Sequence, residues 1–199
     1  MPDVGDHLRS FYARELRDRA SRPLGEYRER HLRAFIDMCL VEGRQRVLEV
    51  GCGAGRDGSV MAAAGLQYTG VDLSPVGVDI CRDLGLDAHE ASAVELPFPS
   101  SSYDAGWSMS TLMHLPDPGM ELALAELRRV ICPGGLLDVG VWGKTQDGEW
   151  IDSHGRYFRQ RTDEGLQRLL GTVGQVVAWD TWHWFDDGGH YQWGRVRLS

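Results

Sequence analysis

A short apolar run that stops on glycines constrains this chain more than any other feature. Val47-Leu48-Glu49-Val50 leads into Gly51-Cys52-Gly53-Ala54-Gly55, and a helical pattern begins at about residue 57. Glycines are needed where a backbone turns sharply and a ligand must touch it with no Cβ in the way. A second apolar run, Tyr68-Thr69-Gly70-Val71-Asp72, follows and completes a β-α-β unit. Asp72 closes that second strand, where a carboxylate can accept both hydroxyls of a ribose. Gly53, Gly55 and Gly58 spell G-x-G-x-x-G. The strand ends at Val50, however, so Gly51 is the first turn glycine and Arg56 stands where a pyrophosphate loop has its last one. Glu49 adds a negative charge just before the turn, which repels a pyrophosphate and suits a ligand bearing a cation.

The alternation continues along the chain. Residues 75–84 read as a helix, 103–109 as a strand, 119–131 as a helix and 136–141 as a strand, with a loop through Leu96-Pro97-Phe98-Pro99. Strands alternating with helices imply an α/β fold with a parallel sheet covered on both faces. Ahead of the glycine loop, Leu8, Phe11, Tyr12 and Leu16, then Leu32, Phe35, Ile36 and Leu40, recur at helical spacing, and Pro23 with Gly25 divides residues 7–42 into two helices. After Trp142 come a loop through His154, a helix over 162–170 and two β-rich runs, 175–184 and 190–198. Asp186-Asp187-Gly188-Gly189 joins those runs with hairpin-turn chemistry. The 199 residues fit one domain. Residues 1–44 would supply helices that form a lid, 45–142 the cofactor-binding core, and 143–199 an acceptor-side loop, a helix and a hairpin.

Charge narrows the partners. Lys plus Arg number 21 against 29 for Asp plus Glu, a net charge of −8, so a polyanionic nucleic acid meets repulsion. The N-terminus mixes acids and bases and lacks an apolar leader, and no stretch approaches the roughly 20 apolar residues of a membrane helix. A cytoplasmic protein with no membrane partner is expected, as a monomer or homodimer. Cys39, Cys52, Cys81 and Cys132 lie far apart and never as C-x-x-C, which predicts reduced thiols and no zinc cage. His183 and His190 flank Asp186-Asp187, but that spacing matches no standard ligand set, so no metal is expected.

Taken together, Glu49-x-Gly51-x-Gly53-x-Gly55, Asp72-Leu73-Ser74, Leu96-Pro97-Phe98 and Pro133-Gly134-Gly135 resemble the class I S-adenosylmethionine-dependent methyltransferases, in the order and spacing of that family over residues 46–142. The resemblance implies a doubly wound, seven-stranded Rossmann-like sheet with an antiparallel last strand and helices on both faces. It also implies S-adenosyl-L-methionine as cofactor and S-adenosyl-L-homocysteine as product. In such enzymes the first loop wraps the methionine moiety, the acid after the second strand holds the ribose and the segment before Leu-Pro-Phe contacts adenine. Carried over, these roles fall on Glu49, Gly51, Cys52, Gly53 and Gly55, on Asp72 with Leu73, and on Ser92 with Ala93.

Ligands of open parallel sheets sit outside the carboxyl ends of the strands. The stretch from Ser108 to His114 is similar to the one that runs beside the transferring methyl, which adds Ser108 to the cofactor residues and makes His114 a candidate base for a hydroxyl or amine. His114, Trp142, His154 and Tyr157 are the candidate walls of a small-molecule acceptor pocket. The implied function is methyl transfer to an oxygen or nitrogen of a small molecule. Two alternatives use the same sheet: a tRNA methyltransferase, since Arg156-Tyr157-Phe158 before a Thr-initiated helix is similar to wobble-uridine enzymes, and an NAD(P)-binding oxidoreductase.

Overall fold

The computed structural model describes residues 7, 11, 12, 15, 16, 22–183 and 189–199. The described residues form nine strands, the first of them interleaved with helices. They are β1 (Arg46–Val50), β2 (Gln67–Asp72), β3 (Asp87–Glu90), β4 (Tyr103–Met109), β5 (Ile131–Gly143), β6 (Gly148–Ile151), β7 (Tyr157–Gln160), β8 (Gly174–His183) and β9 (His190–Leu198). The helices are α1 (Glu26–Val41), α2 (Arg56–Ala63), α3 (Pro75–Asp83), α4 (Asp117–Val130) and α5 (Asp163–Leu170), with a single 3-10 turn at Leu112–His114. Seven strands form one sheet in the order β3-β2-β1-β4-β5-β9-β8. The first five run parallel, and β9 lies antiparallel between β5 and β8. The expected doubly wound sheet is therefore present, with its final strand inserted as the resemblance implied.

Strand alternation divides the core between the two faces. Leu48, Val50, Val139 and Val141 face α4 and α5, whose Leu124, Leu127, Leu166 and Leu170 are fully buried. Val47, Trp107 and Leu136 face the other way, against Leu32 and Phe35 of α1, Met61 of α2 and Val78 of α3. On that second face Arg195 of β9 makes a bidentate pair with its cross-strand neighbour Asp138, at 2.7 and 2.8 Å, with both side chains buried.

Several elements differ from the sequence expectation. Polar β3 has no periodic pattern and exists through its pairing with β2. Strand β5 begins at Ile131 and not near 136, because Ile131 pairs with Tyr103 before the register shifts, and Gly134 at φ 75° carries the chain through that irregularity. Helix α4 starts at Asp117 and not near 119, with Pro118 in the first turn, where a missing N–H is harmless. The β6–β7 hairpin was not expected at all; β6 is largely exposed and has no apolar face to signal it. Leu8, Trp184 and residues 186–188 of the expected turn lie outside the described residues.

His31 of α1 reports the contact between α1 and the last two strands. Its ring stacks on Trp193 at 4.1 Å and on Trp182 at 5.3 Å, and it bonds Asp180 at 3.0 Å. Burial lowers its pKa below 6.5; Asp180 opposes the shift and Arg30 adds to it. The unfolded chain therefore takes up this proton first, so the contribution of His31 to stability is complete above about pH 6.5 and is lost as the pH falls below it. Thermal melts from pH 8 to pH 5 should show a steeper decline for the native chain than for His31→Phe, which keeps the stacking but cannot protonate. Parallel curves would remove His31 as the cause.

Candidate functional site

The sheet order reverses at β1, and a cleft with about 1090 Å³ of empty volume opens there, at the carboxyl ends of β1, β2 and β4. The glycine loop forms one wall. Gly51 turns at φ 84° and donates to the Val71 carbonyl at 2.8 Å; a Cβ on it would lie 1.9 Å from Thr111 Oγ1, so no side chain fits. Gly53 turns at φ 52°, and its N–H donates to Asp72 Oδ2 at 2.8 Å. Asp72 Oδ1 accepts from the Ser74 N–H, also at 2.8 Å. Asp72 thus ties the loop after β1 to the turn after β2 while its carboxylate remains on the cavity wall. Burial raises its pKa, and the three backbone bonds to Ser74, Gly53 and Leu73 work against that rise. Cys52, Leu73, Ala91, Ser92 and Ala93 extend the same wall.

Three residues assigned to the cofactor from sequence do not line the cavity. Glu49 is 1% exposed and accepts from the Tyr68 hydroxyl at 2.6 Å, beneath the loop, where burial holds its pKa well above the carboxylate range. It alternates with the inward-packed Leu48 and Val50 and therefore points to the opposite face of the sheet. Ser108 donates to the Val50 carbonyl at 2.9 Å and joins β4 to β1. Gly55 sits at the start of α2 with φ 70°, and a Cβ there would meet Leu86 and Cys81 at 3.0 and 3.1 Å, so its role is packing against α3.

Arg28 was missed because nothing in its local sequence marks it. Helix α1 brings it to the cavity wall, and Asp57 of α2 holds it through contacts of 3.1, 2.9 and 2.6 Å. Asp57 also accepts from the Trp107 indole at 2.6 Å. Arg56, also on the wall, donates to the carbonyls of Arg22 and Pro23 and so fixes the segment that enters α1.

Across the cavity stands His114, 5% exposed. Its Nδ1 lies 2.8 Å from the Tyr157 carbonyl, which can only accept, so Nδ1 carries a proton. In the neutral ring Nε2 is then an acceptor, and the Tyr12 hydroxyl lies 3.0 Å from it. The ring meets Phe158 edge-on at 4.6 Å. Tyr12 and Leu16 of the N-terminal segment line the cavity as well.

Trp142, His154 and Tyr157 gather around this pair but stand outside the cavity wall. Tyr157 contributes its carbonyl, while its hydroxyl donates to Glu149 at 2.7 Å; burial and that bond push its pKa up to about 12. His154 lies 5.0 Å from the Phe11 ring, next to Arg156, whose guanidinium sits 3.8 Å over the same ring. Trp142 stacks on Phe158 at 5.2 Å, the ring that His114 also meets, and faces a second cavity with Lys144 and Trp150. Among the described residues no group of three His, Cys, Asp or Glu is placed to hold a metal ion.

Comparison with known proteins places this geometry in context. A family model described as "Methyltransferase domain" matches residues 48–139. The fatty-acid O-methyltransferase of Mycolicibacterium smegmatis is 41% identical over 101 residues, which is 48% of this chain and 36% of that protein. The tRNA (carboxymethyluridine(34)-5-O)-methyltransferase of Arabidopsis thaliana is 30% identical over 60% of this chain and 30% of its own length. The chain spans about a third to a half of the curated relatives it matches first. Among solved structures, a Burkholderia thailandensis 1,6-didemethyltoxoflavin-N1-methyltransferase superposes with a TM-score of 0.78 over 98% of this chain and 88% of that one, at 21% identity. That likeness extends the shared fold over nearly the whole chain.

Proposed function

We propose that this chain, whose residues 48–139 match a model described as "Methyltransferase domain", transfers a methyl group from S-adenosylmethionine to an oxygen or nitrogen of a small molecule. The observation that carries the reading is one cavity, at the point where the strand order reverses, whose wall joins the glycine loop, Asp72 and the Tyr12–His114 pair.

The residues present fit such a donor. At Gly51 the space a Cβ would take is filled by Thr111, so the glycine loop and the turn after β4 meet in one continuous cavity wall. Arg28 and Arg56 suit the carboxylate of an amino-acid end, Asp72 suits ribose hydroxyls, and Leu73, Ala91 and Ala93 offer apolar surface to a purine. The donor supplies a methyl on a sulfonium that is already activated for displacement, so the protein chiefly aligns the nucleophile. His114 adds a route for the proton of the acceptor. The Tyr157 carbonyl pins Nδ1–H, the Nε2 lone pair faces Tyr12, and a proton leaving the acceptor passes to the Tyr12 oxygen as the hydroxyl proton of Tyr12 moves to Nε2. Tyr12 and Leu16 cover one side of the cavity as a lid would, and Arg156 over the Phe11 ring anchors that side.

A small-molecule acceptor is preferred to tRNA because a net charge of −8 opposes a polyanion. It is preferred to nicotinamide chemistry because Arg56 stands at the position of the loop's last glycine. The chain works, in this reading, in the cytoplasm as a monomer or homodimer. Four free cysteines suit a reducing compartment, and no described helix is long and apolar enough to cross a membrane.

Titration calorimetry tests the assignment directly. The native chain should bind S-adenosylhomocysteine and not NADH; the reverse would reject methyl transfer. Asp72→Ala should weaken S-adenosylhomocysteine roughly 10- to 150-fold, the equivalent of about 1.5–3 kcal/mol for bonds to a charged acceptor. An unchanged dissociation constant would remove Asp72 from the site.

A further inference from the structure

The proposed chemistry uses none of the four thiols, and two of them, Cys52 and Cys81, are neighbours. Cys52 follows Gly51 in the glycine loop and lines the cavity, 5% exposed; Cys81 lies directly behind it in α3, fully buried. Their sulfurs are 3.6 Å apart, and Cys81 Sγ is also 3.5 Å from the Gly53 carbonyl. The other cysteines stand elsewhere, Cys39 in α1 and Cys132 at the start of β5. A disulfide needs its sulfurs at about 2.05 Å, so the pair is within a short movement of bonding distance.

We propose that Cys52 and Cys81 form an oxidation site, at which hydrogen peroxide links the two sulfurs when the cavity is empty and the link prevents cofactor binding. The chemistry balances without any further reagent. The Cys52 sulfur, whose pKa the Cys81 contact and burial push up, attacks peroxide from the cavity wall as its proton passes to the departing oxygen, breaking the O–O bond, releasing water and forming a sulfenic acid. The Cys81 thiolate then attacks the Cys52 sulfur and displaces its hydroxyl, which leaves as water. Two thiols and one peroxide give one disulfide and two waters, the sulfurs losing the two electrons that peroxide gains. Cys52 reacts first because the cavity is its path to solvent and Cys81 has none.

The loop has little slack to absorb the link. Its Gly53 N–H is held by Asp72 at 2.8 Å, and the Gly53 carbonyl is so close to α3 that a Cβ on Gly77 would lie 2.9 Å from it. Drawing the sulfurs together must shift the Cys52–Gly53 backbone or α3, and either moves the wall on which the donor rests. This effect on binding, and protection by bound ligand, rest on the function proposed above.

The test treats the reduced full chain with hydrogen peroxide, with and without saturating S-adenosylhomocysteine, and reads intact mass, a peptide map and calorimetry. Without ligand, the chain should lose the mass of two hydrogens, the map should join the Cys52 and Cys81 peptides, and S-adenosylhomocysteine affinity should fall about tenfold or more. Dithiothreitol should restore it. With ligand bound, the linked product should largely disappear. Cys81→Ala should gain oxygen at Cys52 and form no link. Oxygen gain without a link in the native chain, a link to Cys39 or Cys132, or a linked protein that binds as tightly as the reduced one would overturn the proposal. If the reduced chain binds no S-adenosylhomocysteine, the proposed function falls and the effect on binding falls with it, while the peptide map still decides the disulfide.

Discussion

Replacing Asp57 with alanine should cost about 3–5 kcal/mol of stability, the usual consequence of removing one partner from a buried ion pair. The Asp57 side chain is fully buried and takes three contacts from Arg28 and one from the Trp107 indole. Without it the Trp107 N–H has no acceptor and the Arg28 charge, three-quarters buried, has no counterion. Burial works against that charge, and it is the Asp57 carboxylate that overrides burial and leaves the Arg28 pKa raised. For a chain of this size the loss corresponds to a melting temperature lower by about 6–20 °C. Calorimetric melts of Asp57→Ala and of Asp57→Leu/Arg28→Met separate the causes. The double variant removes both charges and should recover the part of the loss that comes from the unpaired Arg28 charge, while the Trp107 N–H stays without its acceptor in both variants. A single variant that melts like the native chain would show that the pair is not what joins α1 to α2. S-adenosylhomocysteine binding should weaken in both variants, because each releases Arg28 from the cavity wall or deletes it.

Asp57 also shows where sequence reading stops. On paper it is an acid in the first turn of a helix, with a helix dipole as sufficient reason. Its partners arrive from residues 28 and 107, and no local pattern connects them. The sheet was legible because buried parallel strands are continuous apolar runs, as at Val47-Leu48 and Leu136-Leu137, and because Gly51 and Gly53 need conformations that other residues avoid. Strand β3 was not legible, since Asp87-Ala88-His89-Glu90 has no periodicity of its own. Glu49 was misread although the signal was available: strand residues alternate, and if Leu48 and Val50 face α4, then Glu49 faces α2. The same lesson applies to Ser108, whose hydroxyl was spent on the Val50 carbonyl. The position of His114 after β4, at the cavity wall, was legible, whereas its contact with Tyr12 was not, because the two lie 102 residues apart.

The Tyr12–His114 pair carries the second large expectation. His114→Ala should lower turnover by roughly 10²- to 10⁴-fold, the range of acid-base assistance, with S-adenosylhomocysteine affinity little changed. The geometry makes a finer distinction possible, because the Tyr12 hydroxyl lies 3.0 Å from His114 Nε2, between the imidazole and a partner beyond it in the proposed relay. Tyr12→Phe keeps the ring against His114 and deletes only the oxygen that lies 3.0 Å from Nε2. If the relay operates, Tyr12→Phe should be slow as well, and the double variant should be little slower than either single one, because residues acting as one unit are not additive. If His114 reaches the acceptor directly, Tyr12→Phe should turn over nearly normally while His114→Ala does not. A packing role predicts a third pattern, in which both variants melt earlier and the folded fraction keeps its rate. Rates on a methylated acceptor paired with melting curves decide among the three, and near-normal turnover in folded His114→Ala would leave alignment of the acceptor as the whole of the protein's contribution.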